Sequence, residues 1–199
     1  MKLKLLFLLL IIFKTNTHSS NIEYPVKYER PEDTVRVFEE TTINLLKMSH
    51  TKSREQRFIY TLNQIKNLFD FKTITTIVLK EHVGKEDKEI ETEFTKQLLN
   101  LTARTMVLNY ANYSKQKYKT IKSKKNEKRA FIFTEFYLSD SETIPFRFVL
   151  KNNQGNWQII NIIASGVSEL SVKKIEYQSF LETRTLSDLI QKIKLQNQI

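Results

Sequence analysis

An α+β fold is predicted by three observations. Apolar residues recur at helical spacing up to Asn112. Between Lys117 and Ile163 they alternate with polar residues or gather into β-branched and aromatic runs. From Gly166 the helical spacing returns. A sheet with one apolar face must bury it, and the flanking helical segments are its available cover. With 199 residues, no Pro/Gly/Ser linker and no internal repeat, the chain reads as one domain after its N-terminal segment.

That segment comes first. Lys2 and Lys4 precede an apolar run from Leu5 to Phe13, followed by a polar exit to Ser20. The pattern predicts a secretory signal peptide over residues 1–19, cleaved near Ser19 or Ser20, although a clean small-residue cleavage motif is missing. Nine helical residues cover roughly 14 Å against about 30 Å of bilayer hydrocarbon, which argues against a membrane span. Removal takes Lys2, Lys4 and Lys14 and no acid, lowering the formal charge of +10 by three. Residues 20–199 are then an exported, basic domain, and its charge suits anionic partners.

The helices follow in order. Pro31 with Glu32 and Asp33 reads as a helix start, continued by Val35, Phe38, Thr42, Leu45 and Leu46. Ser53 and Gln56 form a capping box before Phe58, Ile59, Leu62, Ile65, Leu68 and Phe69. Asp70 caps a short third helix that turns Phe71, Ile74, Ile77 and Val78 inward. A long helix from Glu86 to Asn112 carries Phe94, Leu98, Leu101, Thr105 and Leu108 on one stripe.

Three or four antiparallel strands come next. A first covers Lys117 to Ile121 and a second Ala130 to Leu138. In the third, Ile144, Phe146, Phe148 and Leu150 alternate with Pro145, Arg147, Val149 and Lys151. Asn152-Asn153-Gln154-Gly155 signals a hairpin leading into Trp157 to Ile163. Two last helical stretches carry Leu170, Ile175, Tyr177 and Leu181, then Leu186, Leu189, Ile190 and Ile193.

Composition excludes several chemistries. No cysteine is present, so disulfides, thiolate metal sites and a Cys nucleophile are out. Neither GxGxxG nor GxxxxGK occurs. His18 lies in the signal exit, and His50 and His82 stand singly, with no paired-ligand spacing. Ala164-Ser165-Gly166-Val167-Ser168 is not a nucleophile elbow, and Ser there suits a helix cap. Most carboxylates cluster at helix starts. Glu135 differs, sharing a strand face with Phe131, Phe133 and Tyr137, a face assigned to water or a lipid headgroup. The sequons Asn100-Leu-Thr and Asn112-Tyr-Ser fall on or at the end of a predicted helix and read as chance.

Lys115 to Arg129 holds eight basic residues and one acid. A hairpin with a solvated basic loop is the plain reading, and adhesion to an anionic membrane surface is the functional one. Nucleic acid is set aside because the chain is exported. The apolar excess on every element fits either an ordinary packed core or a ligand cavity.

A resemblance bears on that choice. Gly155-Asn-Trp157 followed by Gly166-Val-Ser168, Glu176-Tyr177 and Leu186 to Ile193 resembles the MlaC (toluene-tolerance auxiliary) family of periplasmic phospholipid-binding proteins. Phe69-Asp-Phe71, Glu93-Phe94 and Leu98-Leu99 are similar to its earlier motifs, so the likeness runs over roughly residues 30 to 195. Three positions depart from the family pattern: Asn161 stands for Asp, Lys80 for Gly, and Val172-Lys173-Lys174 for Asn-Tyr-Arg.

The resemblance implies a twisted antiparallel sheet, four-stranded here, wrapped by N- and C-terminal helices and enclosing an apolar cavity for acyl chains. It implies a periplasmic lipid-transfer protein, needing no cofactor. Its implied partners are an inner-membrane ABC transporter with an MCE-domain subunit and an outer-membrane lipoprotein–porin complex. Inward phase then selects Phe71, Ile74, Phe94, Leu98, Leu101, Thr105, Leu108, Phe146, Phe148, Ile160 and Ile162 as the tail-facing wall. Arg147 and Lys151 are headgroup candidates, and Trp157 is expected to pack under the Gly166 turn. Two alternatives stand beside this: a carrier of another lipid such as a hopanoid, and an enzyme of a cone-shaped α+β fold using Glu135 with Tyr137 or Tyr110.

Overall fold

A computed structural model describes residues 26–84, 87–113 and 115–198. The predicted signal peptide and its cleavage site lie outside the described residues. The helices are α1 (Pro31–Lys47), α2 (Arg54–Leu68), α3 (Phe71–Leu79), α4 (Lys88–Asn109), α5 (Glu169–Leu181) and α6 (Leu186–Gln196). The strands are β1 (Lys117–Lys125), β2 (Arg129–Tyr137), β3 (Thr143–Asn153), β4 (Asn156–Ala164) and β5 (Val167–Ser168). They form one antiparallel sheet in the order β1-β2-β3-β4-β5. Among the described residues no helix is long and apolar enough to cross a membrane.

Local chemistry explains the boundaries. Pro31 sits in the first turn of α1 and Glu32 and Asp33 face its positive dipole end. Ser53 and Gln56 close the expected capping box on α2. Asp70 accepts from the Thr73 amide to start α3. The β3–β4 turn has positive φ at both Gln154 and Gly155, the backbone of a tight hairpin, where glycine is at home.

The sheet has five strands where four were expected. The fifth is the two-residue β5, folded back on β4 by a turn with positive φ at Ser165 and Gly166. So short a strand carries no alternation to read. Gly166 therefore belongs to this turn, and α5 begins three residues later, capped by Ser168, which accepts from the Ser171 amide. The long helix is shorter than expected at its C-terminal end, stopping at Asn109. The first strand is longer, because the basic stretch expected as a loop continues as β1 to Lys125.

One face of the sheet is buried. Ala130, Ile132 and Phe136 of β2 and Phe148 and Leu150 of β3 are almost fully enclosed, and the residues between them point away. The helices cover this face. Phe38 of α1 meets Phe148 edge-on at 5.1 Å and Phe69 at 6.0 Å. Phe94 of α4 meets Tyr177 of α5 at 5.8 Å. Burial of each such ring contributes roughly 1.5–3 kcal/mol.

Two apolar residues expected to face inward do not. Ile59 is 51% and Ile175 71% exposed. Ile59 stands alone on the solvent side of α2, where a single apolar side chain is tolerated, and Ile175 lies one turn from the exposed Val172 on the outer side of α5. Trp157 is also placed differently. It starts β4 beside α1, donating its amide to the Tyr28 carbonyl and accepting on its own carbonyl from Thr34 Oγ1. The Gly166 turn is at the opposite end of that strand.

Candidate functional site

The sheet and helices do not close fully on each other. A solvent-open cavity of about 260 Å³ lies between them. β3 and β4 supply Phe146, Ile160, Ile162 and Ala164; α3 supplies Phe71, Ile74 and Val78; α4 supplies Leu98, Leu101, Thr105, Met106 and Asn109. Phe38, Phe69 and Tyr110 add aromatic surface, Thr102 and Asn161 add polar groups, and Leu170 with Glu169 and Lys173 of α5 complete the lining.

A bulge places the β4 wall. The β3–β4 register shifts between Val149 and Leu150, so Leu150 pairs with Ile159 while Phe148 pairs with Ile162. The extra residue, Ile160, lets Trp157 and Ile159 face the core at one end while Ile160 and Ile162 meet the cavity at the other. Strict alternation counted from Ile160 and Ile162 would send Ile159 and Trp157 outward.

Eight wall residues expected from phase stand at the cavity: Phe71, Ile74, Leu98, Leu101, Thr105, Phe146, Ile160 and Ile162. Three do not. Phe94 is wholly buried against Tyr177, and Phe148 is wholly buried between Phe38 and Phe146, so both support the wall from behind. Leu108 is 53% exposed. It nearly shares the angular position of Leu101, seven residues earlier, but stands in the last turn of α4.

The headgroup candidates are elsewhere. Arg147 is exposed on the sheet face opposite Phe146 and Phe148. Lys151 lies 3.3 Å from Asp70 and 2.8 Å from Thr73 Oγ1. The cation that lines the cavity is Lys173, 3.2 Å from Glu176. Periodicity on α5 put Leu170 inward, but a charged residue one turn on gave no apolar signal. Glu135 and Tyr137 also face away from the cavity, with the Tyr137 hydroxyl donating to the Glu135 carboxylate.

Two polar clusters hold the walls in place. The buried Asp70 carboxylate accepts from the Thr73 amide at 2.8 Å and from Asn153 Nδ2 at 2.8 Å, and its backbone amide donates to the Ile159 carbonyl. Burial works against its charge, but the hydrogen bonds from Thr73 and Asn153 and the Lys151 ammonium win, holding its pKa below the ordinary value. The start of α3 is thereby tied to the β3–β4 hairpin. At the α5 side of the cavity, Asn161 Oδ1 accepts from Ser168 Oγ and, at 3.4 Å, from the Leu170 amide, fixing the first turn of α5.

Beside the cavity Tyr110 and Tyr118 bring their hydroxyls within 3.4 Å, and Thr42 Oγ1 donates to Tyr118. Burial raises the pKa of both phenols, so they stay neutral. The site contains apolar walls, neutral hydroxyls and a rim of one acid and one cation. Among the described residues no cluster of His, Asp and Glu could hold a metal ion. Most of the lining is hydrocarbon, with hydroxyls, amides and one ion-paired lysine at its margin.

Residues 37–195 match the MlaC protein family. Among solved structures the chain is similar to a phospholipid-binding protein from Ralstonia solanacearum in complex with a phospholipid. The two are 15% identical, with a TM-score of 0.74 over 84% of this chain and 96% of that one. At that identity the likeness is one of fold. No curated protein matches the chain.

Proposed function

The chain belongs to the MlaC family, and from that premise we propose that it is a phospholipid carrier, its acyl chains held between the sheet and α3, α4 and α5. The observation that carries this reading is the apolar cavity, walled by Phe71, Ile74, Leu98, Phe146 and Ile162 and open at a charged rim. The similar Ralstonia solanacearum protein is itself described in complex with a phospholipid.

The physics favours a carrier. At about 0.8 kcal/mol per methylene, exposing some 30 methylenes of two tails to water costs roughly 24 kcal/mol. A pocket of Phe, Leu and Ile exchanges one apolar surround for another, so loading and unloading become nearly balanced and no covalent step is needed. The cavity lies near the lower edge of ligand pockets, which run from about 300 to 1,000 Å³, so seating two tails widens the gap between sheet and helices. The headgroup remains at the rim, where Lys173 meets its phosphate.

Membership of the family supports a wider reading. Residues 1–19 direct export to the periplasm and are removed there. The mature domain then moves phospholipid between an inner-membrane ABC transporter bearing an MCE-domain subunit and an outer-membrane lipoprotein–porin complex, maintaining lipid asymmetry. Native mass spectrometry of protein purified from cells, followed by solvent extraction, tests the reading. A co-purified two-tailed phospholipid is expected; a ligand-free protein that also refuses added phospholipid contradicts it.

A further inference from the structure

The uncovered face of the sheet has a composition that solvation alone does not require. Register places Lys117, Lys119, Lys122 and Lys124 of β1 opposite Tyr137, Glu135, Phe133 and Phe131 of β2, so these side chains share one face. The next strand sets Arg147 beside Phe133 and Val149 beside Phe131. Phe131 is 38% exposed, and Lys119, Lys122, Lys124 and Arg147 are exposed. Among the described residues the one acid of these three columns is Glu135, whose carboxylate already accepts from Tyr137.

We infer that this face docks the protein on the surface of an anionic lipid bilayer. Rings at the headgroup level bury apolar edge, while lysines reach lipid phosphates along flexible stems. The charge complements an anionic surface along the whole strand. Lysine on an edge strand also discourages strand pairing, but that role does not call for exposed phenylalanine on the adjacent strand. A face built for a protein partner would favour arginine and be poor in lysine; here lysine fills the β1 column. The inference is independent of the cavity, which opens on the other side of the sheet.

Vesicle co-sedimentation tests it, comparing phosphatidylcholine alone with phosphatidylcholine mixed with phosphatidylglycerol. All variants keep the same N-terminus as the wild type, so differences report on this face. The wild type is expected to bind the mixed vesicles, to ignore the neutral ones, and to let go as salt rises. Neutralising two lysines in K122Q/K124Q weakens binding about thirtyfold, and Phe131→Ser also weakens it without changing the thermal midpoint. Leu98→Trp, which alters the cavity, binds vesicles as the wild type does. Wild-type protein that ignores both vesicles overturns the inference and leaves the face to an acidic protein surface. So does equal binding to neutral vesicles, unchanged binding by K122Q/K124Q, or an equal loss in Leu98→Trp.

Discussion

The Arg57 guanidinium on α2 donates to the backbone carbonyls of Val107 and Tyr110, at the end of α4 beside the cavity that Asn109 and Tyr110 line. Arg57 is only 6% exposed. It satisfies carbonyls that the helix leaves without partners and places a cation at the negative dipole end. Arg57→Met keeps much of the side-chain volume and removes both bonds. The expected loss is about 2–4 kcal/mol of stability, with hydrogen exchange rising first at the last turn of α4. An unchanged thermal midpoint in this variant would contradict the role.

Asp70 performs the corresponding task for α3, joining it to Lys151 and Asn153 of the hairpin. Asp70→Ala removes the cap and strands its partners, and urea unfolding is expected to show a loss of about 2–3 kcal/mol. The pH dependence has a definite sign. Because the folded-state pKa lies below the ordinary value of 3.8, the contribution is present above that value and fades as pH falls through the lowered pKa. The variant therefore loses less stability on acidification than the wild type does.

Lys80 ends α3 with φ 50° and ψ −111°, a backbone that an L side chain adopts at a cost and glycine adopts freely. The resemblance drawn from the sequence implies Gly at this position, and such a backbone is one that favours Gly. Lys80→Gly is expected to stabilise the fold by about 1 kcal/mol, because the exposed Lys80–Glu81 pair it removes contributes little. Calorimetry checks this, and a lower midpoint would exclude it.

Glu39 has the opposite pH behaviour to Asp70. Burial, aided by Glu40, raises its pKa from 4.5 to about 7, and its Oε1 has no hydrogen-bond partner. An acid whose pKa rises on folding stabilises most below its unfolded value, and that benefit is lost as pH climbs through about 7. Glu39→Gln is therefore expected to flatten the stability profile between pH 4.5 and 7 and to be the more stable form above it. Parallel profiles for the two proteins would show that Glu39 titrates normally.

The order of elements was legible because each apolar period is long. α1, α6 and β3 run long enough for their inward residues to repeat, and Asp70 and the Ser53–Gln56 box mark helix starts through their own hydrogen bonds. What escaped depends on contacts distant in sequence. The β4 bulge at Ile160 follows from pairing with β3, and β5 exists only because Ser165 and Gly166 turn the chain back onto β4. Most of the cavity wall was visible through helical and strand phase, whereas Phe94 and Phe148 share that phase and are taken by aromatic neighbours. The charged margin was not visible: nothing in helical spacing singles out Glu169 and Lys173 until α5 is set beside the cavity.

Leu98 is buried on α4 and lines the cavity, so enlarging it tests carriage itself. The phospholipid-to-protein ratio, measured by native mass spectrometry on folded wild type and Leu98→Trp loaded side by side, is the most direct measurement. The carrier account predicts that the wild type holds phospholipid and that the variant, folded with its far-ultraviolet spectrum unchanged, holds markedly less. Equal loading of both proteins would contradict the placement of acyl chains between the sheet and α4.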